Sequence, residues 1–298
     1  MAVPIPVIVN REGGAASAAG EALVERIVAA FAAAGCAVDV RLLDSRDIGD
    51  AVRAAADSPL LIVGGGDGTL GCAAQARVES GGGALAILPL GTRNHLAREL
   101  GIPLNLEESA AVAVGDSSRR IDLASVNGTI FVNNASVGFY PLLVRWREAE
   151  QRYRGLPKWL ATIPASWAAL RRLRHHRMHL QMGAGRQRVI TPILFVGNNR
   201  YMLERGELGQ RAALDDGTLS VFAVAARSRL GLIWFAIRAL FGFVDPEHDF
   251  AALGECEELI VHSRSRDIGI ALDGEVRRMV PPLRFAAMPR AIEIRAPA

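Results

Sequence analysis

Residues 1–115 alternate short apolar runs with longer segments in which apolar side chains recur every three or four positions. The short runs predict buried strands, and the helical spacing predicts amphipathic helices. The expected strands span residues 3–10, 37–43, 60–63 and 84–88, and the expected helices span 17–34, 48–56 and a segment that starts at Leu70. This alternation is typical of a doubly wound parallel sheet, whose ligands bind at the carboxyl ends of the strands.

After Asp116 the pattern changes to short strands that follow one another. Asn127-Gly128 lies between two strand-like runs and predicts a β-hairpin. Further strands are expected at 189–196, 219–225, 258–262, 268–273 and 291–295, with helices at 141–152, 156–177 and 229–243. We therefore predict a second domain of antiparallel β structure with helical insertions, and we place the boundary near Ile121.

The basic residues are almost all arginines. Of the 34 Lys and Arg residues, one is a lysine, Lys158, which leaves 33 arginines. The Walker A loop and the protein kinases each need a lysine at the phosphates. Lys158 lies between Pro157 and Trp159, outside any glycine-rich loop, so the sequence excludes both designs.

Cysteine usage and hydropathy predict a cytoplasmic protein. The three cysteines, Cys36, Cys72 and Cys256, are odd in number and form no CxxC pair, which argues against a disulfide framework or a zinc ribbon. The first residues lack the basic region of a signal peptide. No stretch has the ~18 uncharged apolar residues that a membrane span requires.

A glycine-rich turn follows the apolar run 60–63, with the sequence Gly64-Gly65-Gly66-Asp67-Gly68-Thr69. Glycines let a backbone approach a polyphosphate closely, and a helix that starts here would add N–H donors. Asp67 cannot bind phosphate directly, so we expect it to hold metal-bound water or a hydroxyl group. The alternative is a structural turn that Asp67 and Thr69 cap.

A second strand-to-helix turn covers residues 89–98 and contains Thr92 and Asn94. It ends at the same edge of the predicted sheet, so these two side chains can converge with Asp67. The alternative is an ordinary connection in which Thr92 or Asn94 caps the next helix.

Five motifs in this order resemble the diacylglycerol kinase catalytic-domain family of lipid kinases, which includes sphingosine and ceramide kinases. They are Gly65-Gly66-Asp67-Gly68-Thr69, Pro89-Leu90-Gly91-Thr92-x-Asn94, Asn133-Asn134-Ala135-Ser136-Val137-Gly138, Leu214-Asp215-Asp216-Gly217-Thr218-Leu219 and Leu272-Asp273-Gly274-Glu275. The resemblance extends over nearly the whole chain. The first motif alone would be less specific, because NAD kinases share it.

The resemblance implies a nucleotide-binding α/β domain at 1–121, a lipid-substrate β-sandwich domain at 122–298, and an active site between them. The last residues, 285–298, are expected to pack back on the first domain. The implied ATP-binding residues are Asn10, Gly65, Gly66, Asp67, Gly68, Thr69, Thr92 and Asn94. Glu275 would be the general base, with Asp273 beside it and Asp67 also catalytic. Asp216 and the carbonyl oxygens of Ala213 and Thr218 match a structural metal loop of the bacterial members.

Two positions depart from the family pattern. The family usually has Asn-Asp-Phe where this chain has Asn94-His95-Leu96, so a carboxylate that could join a metal–water network is missing. Gly71 also replaces a common asparagine. Either the remaining carboxylates suffice, or the chain belongs to a subgroup with a different acceptor.

The segments that would contact the lipid substrate carry less specific sequence signals. The apolar segments 156–173 and 230–243 have arginine-rich ends, which fits either docking on an anionic bilayer or core helices with solvated ends. His175-His176-x-x-His179 has metal-ligand spacing, but within a basic run it favours a solvated face. If these arginine clusters account for the net charge of +3, that charge points to a membrane face more than to a nucleic-acid site, and core helices with solvated ends remain the alternative.

Together these features predict an ATP- and Mg²⁺-dependent kinase that phosphorylates a lipid hydroxyl, on diacylglycerol or a related alcohol. The expected partner is a lipid at the inner face of the membrane, which the protein contacts transiently. No nucleic-acid partner is expected. The sequence leaves open whether the protein forms a homodimer. One alternative is an NAD kinase-like enzyme, although the Asn-Glu pair of that family is absent. The other is a catalytically silent regulator that binds nucleotide or lipid.

Overall fold

The structure, a computed structural model, describes residues 3–13, 20–92, 94–138, 176–201, 211–224, 231 and 250–298. The helices predicted at 141–152, at 156–175 and, except for Gly231, at 229–243 lie outside these residues. The chain forms two compact units. The first comprises Met1–Leu123, Thr129–Val132 and Met288–Ala298, and the second comprises Ala124–Gly128 and Asn133–Ala287.

Five helices and sixteen strands lie in the described residues. The helices are α1 (Glu21–Ala33), α2 (Ile48–Ala54), α3 (Asp67–Glu79), α4 (His95–Glu99) and α5 (Leu106–Val114). The first eight strands are β1 (Ile5–Asn10), β2 (Val38–Leu43), β3 (Leu60–Gly65), β4 (Ala84–Pro89), β5 (Ser118–Val126), β6 (Thr129–Phe131), β7 (Asn134–Gly138) and β8 (His176–Met182). The others are β9 (Gly185–Thr191), β10 (Ile193–Asn198), β11 (Leu219–Val224), β12 (Phe250–Cys256), β13 (Glu258–Ser263), β14 (Ile268–Leu272), β15 (Glu275–Met279) and β16 (Leu283–Arg295).

The first unit contains the predicted parallel sheet, with strand order β2-β1-β3-β4. Val7 and Val9 of β1 and Ile62 of β3 are fully buried against Ile27 and Phe31 of α1. These side chains are the apolar positions that the hydrophobic pattern assigned to strand and helix interiors, so the packing confirms the α/β prediction. The last part of β16 joins β4 in parallel through Ile294 and Leu85.

The second unit is antiparallel, as the sequence predicted. One sheet has the order β12-β11-β10-β7-β14-β15. A second group of antiparallel strands has the order β9-β8-β13-β16, in which β13 pairs with the first part of β16. Asn127 and Gly128, both at positive φ, connect β5 to β6 in the predicted hairpin. Among the described residues, no helix is long and apolar enough to cross a bilayer.

Several predicted boundaries were wrong. Helix α3 begins at Asp67 rather than Leu70, because Gly66 already takes the position before the helix. The strand predicted at 189–196 is two strands: the buried Thr191 hydroxyl accepts the N–H of Ile193 and breaks the run there. The helix predicted to end at Arg177 is wrong at its end, where strand β8 starts at His176.

A buried arginine connects three segments of the first unit. The Arg77 side chain, on α3, is 1% exposed, and burial lowers its pKa. Its guanidinium donates to backbone carbonyl oxygens of Ala55, Ala56, Ser58, Gly83 and Ala84. One side chain therefore satisfies the carbonyl groups that end α2, precede β3 and begin β4.

We predict that Arg77→Met lowers the free energy of unfolding by about 3 kcal/mol, because several buried carbonyl groups lose their donor at once. Urea denaturation measures the effect. Arg26→Met, at an exposed arginine on α1, is the control and should change stability by no more than about 0.5 kcal/mol. Equal unfolding midpoints for the two variants would contradict this role for Arg77.

Candidate active site

Three neighbouring parallel strands end at one edge of the sheet in the first unit. Val9 of β1 lies beside Gly64 of β3, and Gly65 of β3 lies beside Pro89 of β4. The turns that follow these strands therefore leave the sheet side by side. The predicted nucleotide-binding residues lie at the ends of β1 and β3, in these turns and in the first turn of α3.

The two glycine turns touch through their backbones. The Gly91 N–H donates to the Gly65 carbonyl oxygen at 3.1 Å. A Cβ on Gly91 would lie 2.4 Å from the Gly66 Cα, and a Cβ on Gly65 would lie 2.6 Å from the Thr69 Cβ. No side chain fits at either position, so glycine is required here by close approach.

The first turn of α3 has no side-chain cap, because the residue before it is Gly66. The Leu70 N–H is the first to bond within the helix, to the Gly66 carbonyl oxygen. The N–H groups of the preceding residues are thus left at a helix end whose dipole favours anions. This end of α3 is suited to bind a phosphate group.

The Asp67 carboxylate joins the two turns. Its Oδ2 accepts the His95 N–H and its Oδ1 accepts the Leu96 N–H, both at 3.2 Å. Asp67 is half-buried, and each carboxylate oxygen keeps a lone pair for water or a cation. The His95 side chain is exposed, so the contact with Asp67 uses the backbone of residue 95 alone.

Asn94 shapes its own turn. It adopts a left-handed conformation with φ of 50°, and its Nδ2 donates to the carbonyl oxygens of Pro89 and Gly91 at 3.1 and 2.8 Å. Its Oδ1 is buried without a partner. Thr92, in the same turn, is exposed. Of the two, Thr92 is therefore the more accessible to a ligand.

Asn10 and Thr69 bond to each other. The Asn10 Nδ2 donates to the Thr69 Oγ1 at 2.8 Å, and the Asn10 Oδ1 accepts the Glu12 N–H at 3.0 Å. Both side chains are 8% exposed. Their hydrogen bonds hold the glycine turn against the end of β1, so they position the predicted nucleotide site.

In the second unit, Asp273 anchors the turn between β14 and β15. Its Oδ1 accepts the N–H groups of Asn133 and Asn134 at 2.7 and 3.1 Å, and its own N–H donates to the Asn134 carbonyl oxygen at 2.9 Å. Glu275 follows on β15 with its side chain 56% exposed and 3.5 Å from Arg277. The turn thus presents one exposed carboxylate on an anchored backbone.

The predicted metal loop offers oxygen donors. Asp216 is exposed, and Ala213 is partly buried. The Thr218 carbonyl oxygen accepts the Asn199 N–H at 2.8 Å, whereas the Thr218 hydroxyl is buried without a partner. Carboxylate and carbonyl oxygens are suitable ligands for a hard cation. The Thr218 hydroxyl has an unused hydrogen-bonding capacity that a polar group beside the loop would satisfy. The described residues contain no cluster of three or more His, Cys, Asp or Glu side chains that could hold a metal.

A buried polar network around Asn133 did not stand out in the sequence. Tyr201 Oη donates to the Asn133 carbonyl oxygen at 2.9 Å, and Arg211 donates to the Asn133 Oδ1 at 3.1 Å. In the sequence, the only sign of this network is the pair Asn133-Asn134 at the start of the third family motif. The network holds the backbone that Asp273 binds.

Comparisons with known proteins find relatives of this chain. Residues 4–126 match the model of the diacylglycerol kinase catalytic domain. A protein of Pseudomonas fluorescens described as "probable lipid kinase YegS-like" is 32% identical over 92% of this chain and 90% of its own length. The chain belongs to the diacylglycerol kinase catalytic-domain family. It is thus a member of a family of lipid kinases.

Two further relatives of this lipid kinase family define the extent of the likeness. A Pseudomonas aeruginosa protein, also described as "probable lipid kinase YegS-like", is 47% identical, but the match spans 41% of this chain and 41% of that relative. The crystal structure of a diacylglycerol kinase from Bacillus anthracis matches 99% of this chain and 97% of its own, with a TM-score of 0.68 and 19% identity. The structural match establishes the fold of the family.

For this family member we predict that Gly91→Ala lowers the free energy of unfolding by about 1–3 kcal/mol, because the added methyl group overlaps the Gly66 backbone. Thermal or urea unfolding measures the loss. Gly115→Ala is the control: its φ of −68° suits alanine and its Cβ would lie 3.4 Å from the nearest atom. If both variants are as stable as wild type, the two turns are not in contact.

We predict that Asp273→Gly destabilises the protein by about 2 kcal/mol, whereas Asp273→Asn changes stability by less than about 1 kcal/mol. Glycine accepts the φ of 48° but removes the acceptor, and asparagine keeps an Oδ1 for the two N–H groups. Guanidinium denaturation compares the variants. Equal stability of all three proteins would rule out the anchoring role.

Proposed function

We propose that this lipid kinase family member transfers the γ-phosphoryl group of ATP, in the presence of Mg²⁺, to the hydroxyl group of diacylglycerol or a related lipid alcohol. The observation that carries the proposal is the backbone contact between the two glycine turns, with Asp67 bonded across them. This contact places an uncapped helix end and a half-buried carboxylate in one small region. Phosphoryl transfer depends on such positioning and on charge stabilisation.

In this proposal, backbone N–H groups bind the phosphates. The N–H groups at the start of α3 and the helix dipole there provide positive potential without a lysine. Asn10 and Thr69 position the turn, and the exposed Thr92 contacts the nucleotide. Asp67, through its remaining lone pairs, would hold water molecules of a Mg²⁺ ion bound with the nucleotide, and that ion would neutralise phosphate charge.

Glu275 is proposed as the general base. Its exposed carboxylate takes the proton of the lipid hydroxyl while the hydroxyl oxygen forms a bond to the γ-phosphorus. The bond between that phosphorus and the bridging oxygen breaks, and ADP leaves. Asp273 acts as a positioning residue, since its carboxylate already accepts two backbone N–H groups.

We also propose that Asp216, with the carbonyl oxygens of Ala213 and Thr218, holds a structural cation. The support is the set of oxygen donors and the unpartnered Thr218 hydroxyl. Its role would be to order the loop before β11.

The test is a transfer assay with radiolabelled ATP and a panel of acceptors that includes diacylglycerol, sphingosine and NAD. We predict that Glu275→Gln lowers the turnover number for the lipid by about 10²-fold or more, because the acceptor proton loses its base. ATP binding, measured by calorimetry, should stay unchanged. Glu257→Gln, at another exposed carboxylate of the same unit, is the matched control and should retain full turnover.

Equal turnover by the Glu275→Gln variant and wild type would remove Glu275 from this role. Transfer to NAD with none to lipids would replace the lipid kinase by an NAD kinase-like enzyme. Nucleotide binding without transfer to any acceptor would contradict the kinase proposal and indicate a silent regulator.

A further inference from the structure

Strands β9, β8, β13 and the start of β16 present a cationic surface in the second unit. One side of these strands is buried through Met178, Leu180 and Val261. Because side chains alternate along a strand, the residues between them lie on the opposite side, which is exposed. We call this surface the basic face; it comprises Arg177, His179, Arg186, Arg188, His262 and Arg284.

The strand register arranges these side chains in rows. His262 lies opposite His179, which lies opposite Arg188. In the adjacent row, Arg284 lies opposite Ile260, Ile260 opposite Gln181, and Gln181 opposite Arg186. Directly opposite residues are about 5 Å apart, so each row forms a continuous strip across the strands. A depression of about 550 Å³ is lined by His179, Arg186, Arg188 and His262, among others.

Within the described residues, the arginines of the basic face lack an acidic partner. None of its four arginines forms an ion pair with a residue that the structure describes. The register places the Glu258 carboxylate on the same side, diagonal to Arg284, and these two side chains form no ion pair. The whole chain has a net charge of +3, so these four arginines alone exceed it. Unpaired cations gathered on one side of a sheet create a positive potential there, which favours an external anionic partner.

We propose that the basic face docks on the surface of an anionic lipid bilayer. The proposal rests on the proposed function, because a lipid acceptor is embedded in such a surface. Several strands side by side provide a broad face that can contact many headgroups, and each arginine near an anionic leaflet strengthens binding. Ile190, which lies opposite Arg177 on the same side of the sheet, is 53% exposed and adds an apolar side chain to this surface.

The composition of the basic face favours a bilayer over nucleic acid. Sheets that bind single-stranded nucleic acid stack bases on aromatic rings. In the rows described here, the side chains between the arginines are histidine, isoleucine and glutamine, with no Phe, Tyr or Trp. The structure thus assigns membrane contact to this face, separately from the apolar segments 156–173 and 230–243, which lie outside the described residues except for Gly231.

Vesicle co-sedimentation tests the proposal. The probes are vesicles of phosphatidylcholine with about one third phosphatidylglycerol, and vesicles of phosphatidylcholine alone. We predict that Arg186→Gln with Arg188→Gln weakens binding to the anionic vesicles about 30-fold, from about 1 kcal/mol for each arginine. The second double variant, Arg177→Gln with Arg284→Gln, should weaken binding similarly. Arg26→Gln with Arg119→Gln removes the same charge from exposed positions of the first unit and should bind like wild type.

Equal binding by wild type and both basic-face variants would overturn the proposal, and so would an equal loss in the control variant. A labelled DNA oligonucleotide provides the competing arm: loss of DNA binding with unchanged vesicle binding would assign the face to nucleic acid. Thermal unfolding of each variant checks that it is folded.

Co-sedimentation needs no turnover, so this test is independent of the kinase assay. Face-dependent vesicle binding by a protein that phosphorylates no lipid would overturn the proposed function alone. Unchanged vesicle binding by the variants, in a protein that does phosphorylate lipid, would overturn the docking proposal alone.

Discussion

The close approach of Gly66 and Gly91 is the constraint on which the candidate nucleotide site depends. A side chain on Gly91 would overlap the Gly66 backbone, since its Cβ would lie 2.4 Å from the Gly66 Cα. The contact fixes where α3 begins and where the backbone N–H groups of residues 95 and 96 lie. Asp67 can bond to both of these groups because the turns are already adjacent. The geometry of the edge is therefore set by backbone packing, and its polar contacts follow from that packing.

Most side chains that the family resemblance assigned to ATP have a partner within the protein. Asn10 bonds to Thr69, Asn94 bonds within its own turn, and Asp67 bonds to the start of α4. Their roles are thus partly structural, and backbone N–H groups are left as the main phosphate donors in our proposal. This division also explains why His95 can replace the usual aspartate without loss of the Asp67 contact. That contact requires an N–H at residue 95 and makes no demand on its side chain.

The sequence predicted the parallel sheet, the glycine turn and the antiparallel second half, because each follows from local hydrophobic pattern or turn chemistry. It did not predict β8, although Met178 and Leu180 alternate with polar residues there. The surrounding arginines and histidines suggested a solvated helix end instead. Nor could it assign Arg77, whose carbonyl partners come from segments up to 22 residues away. Contacts of this kind depend on the tertiary packing of backbone groups, which local patterns do not record.

The excess of arginine over lysine has different consequences at different positions. At position 77 a guanidinium with five N–H donors satisfies carbonyl groups in several directions, whereas an ammonium group has three donors on one nitrogen. On the basic face either cation would supply the same charge to a membrane. Replacement of arginine by lysine should therefore be tolerated at positions 186 and 188 and costly at position 77. The composition of the chain thus matters where geometry, rather than charge alone, determines the contact.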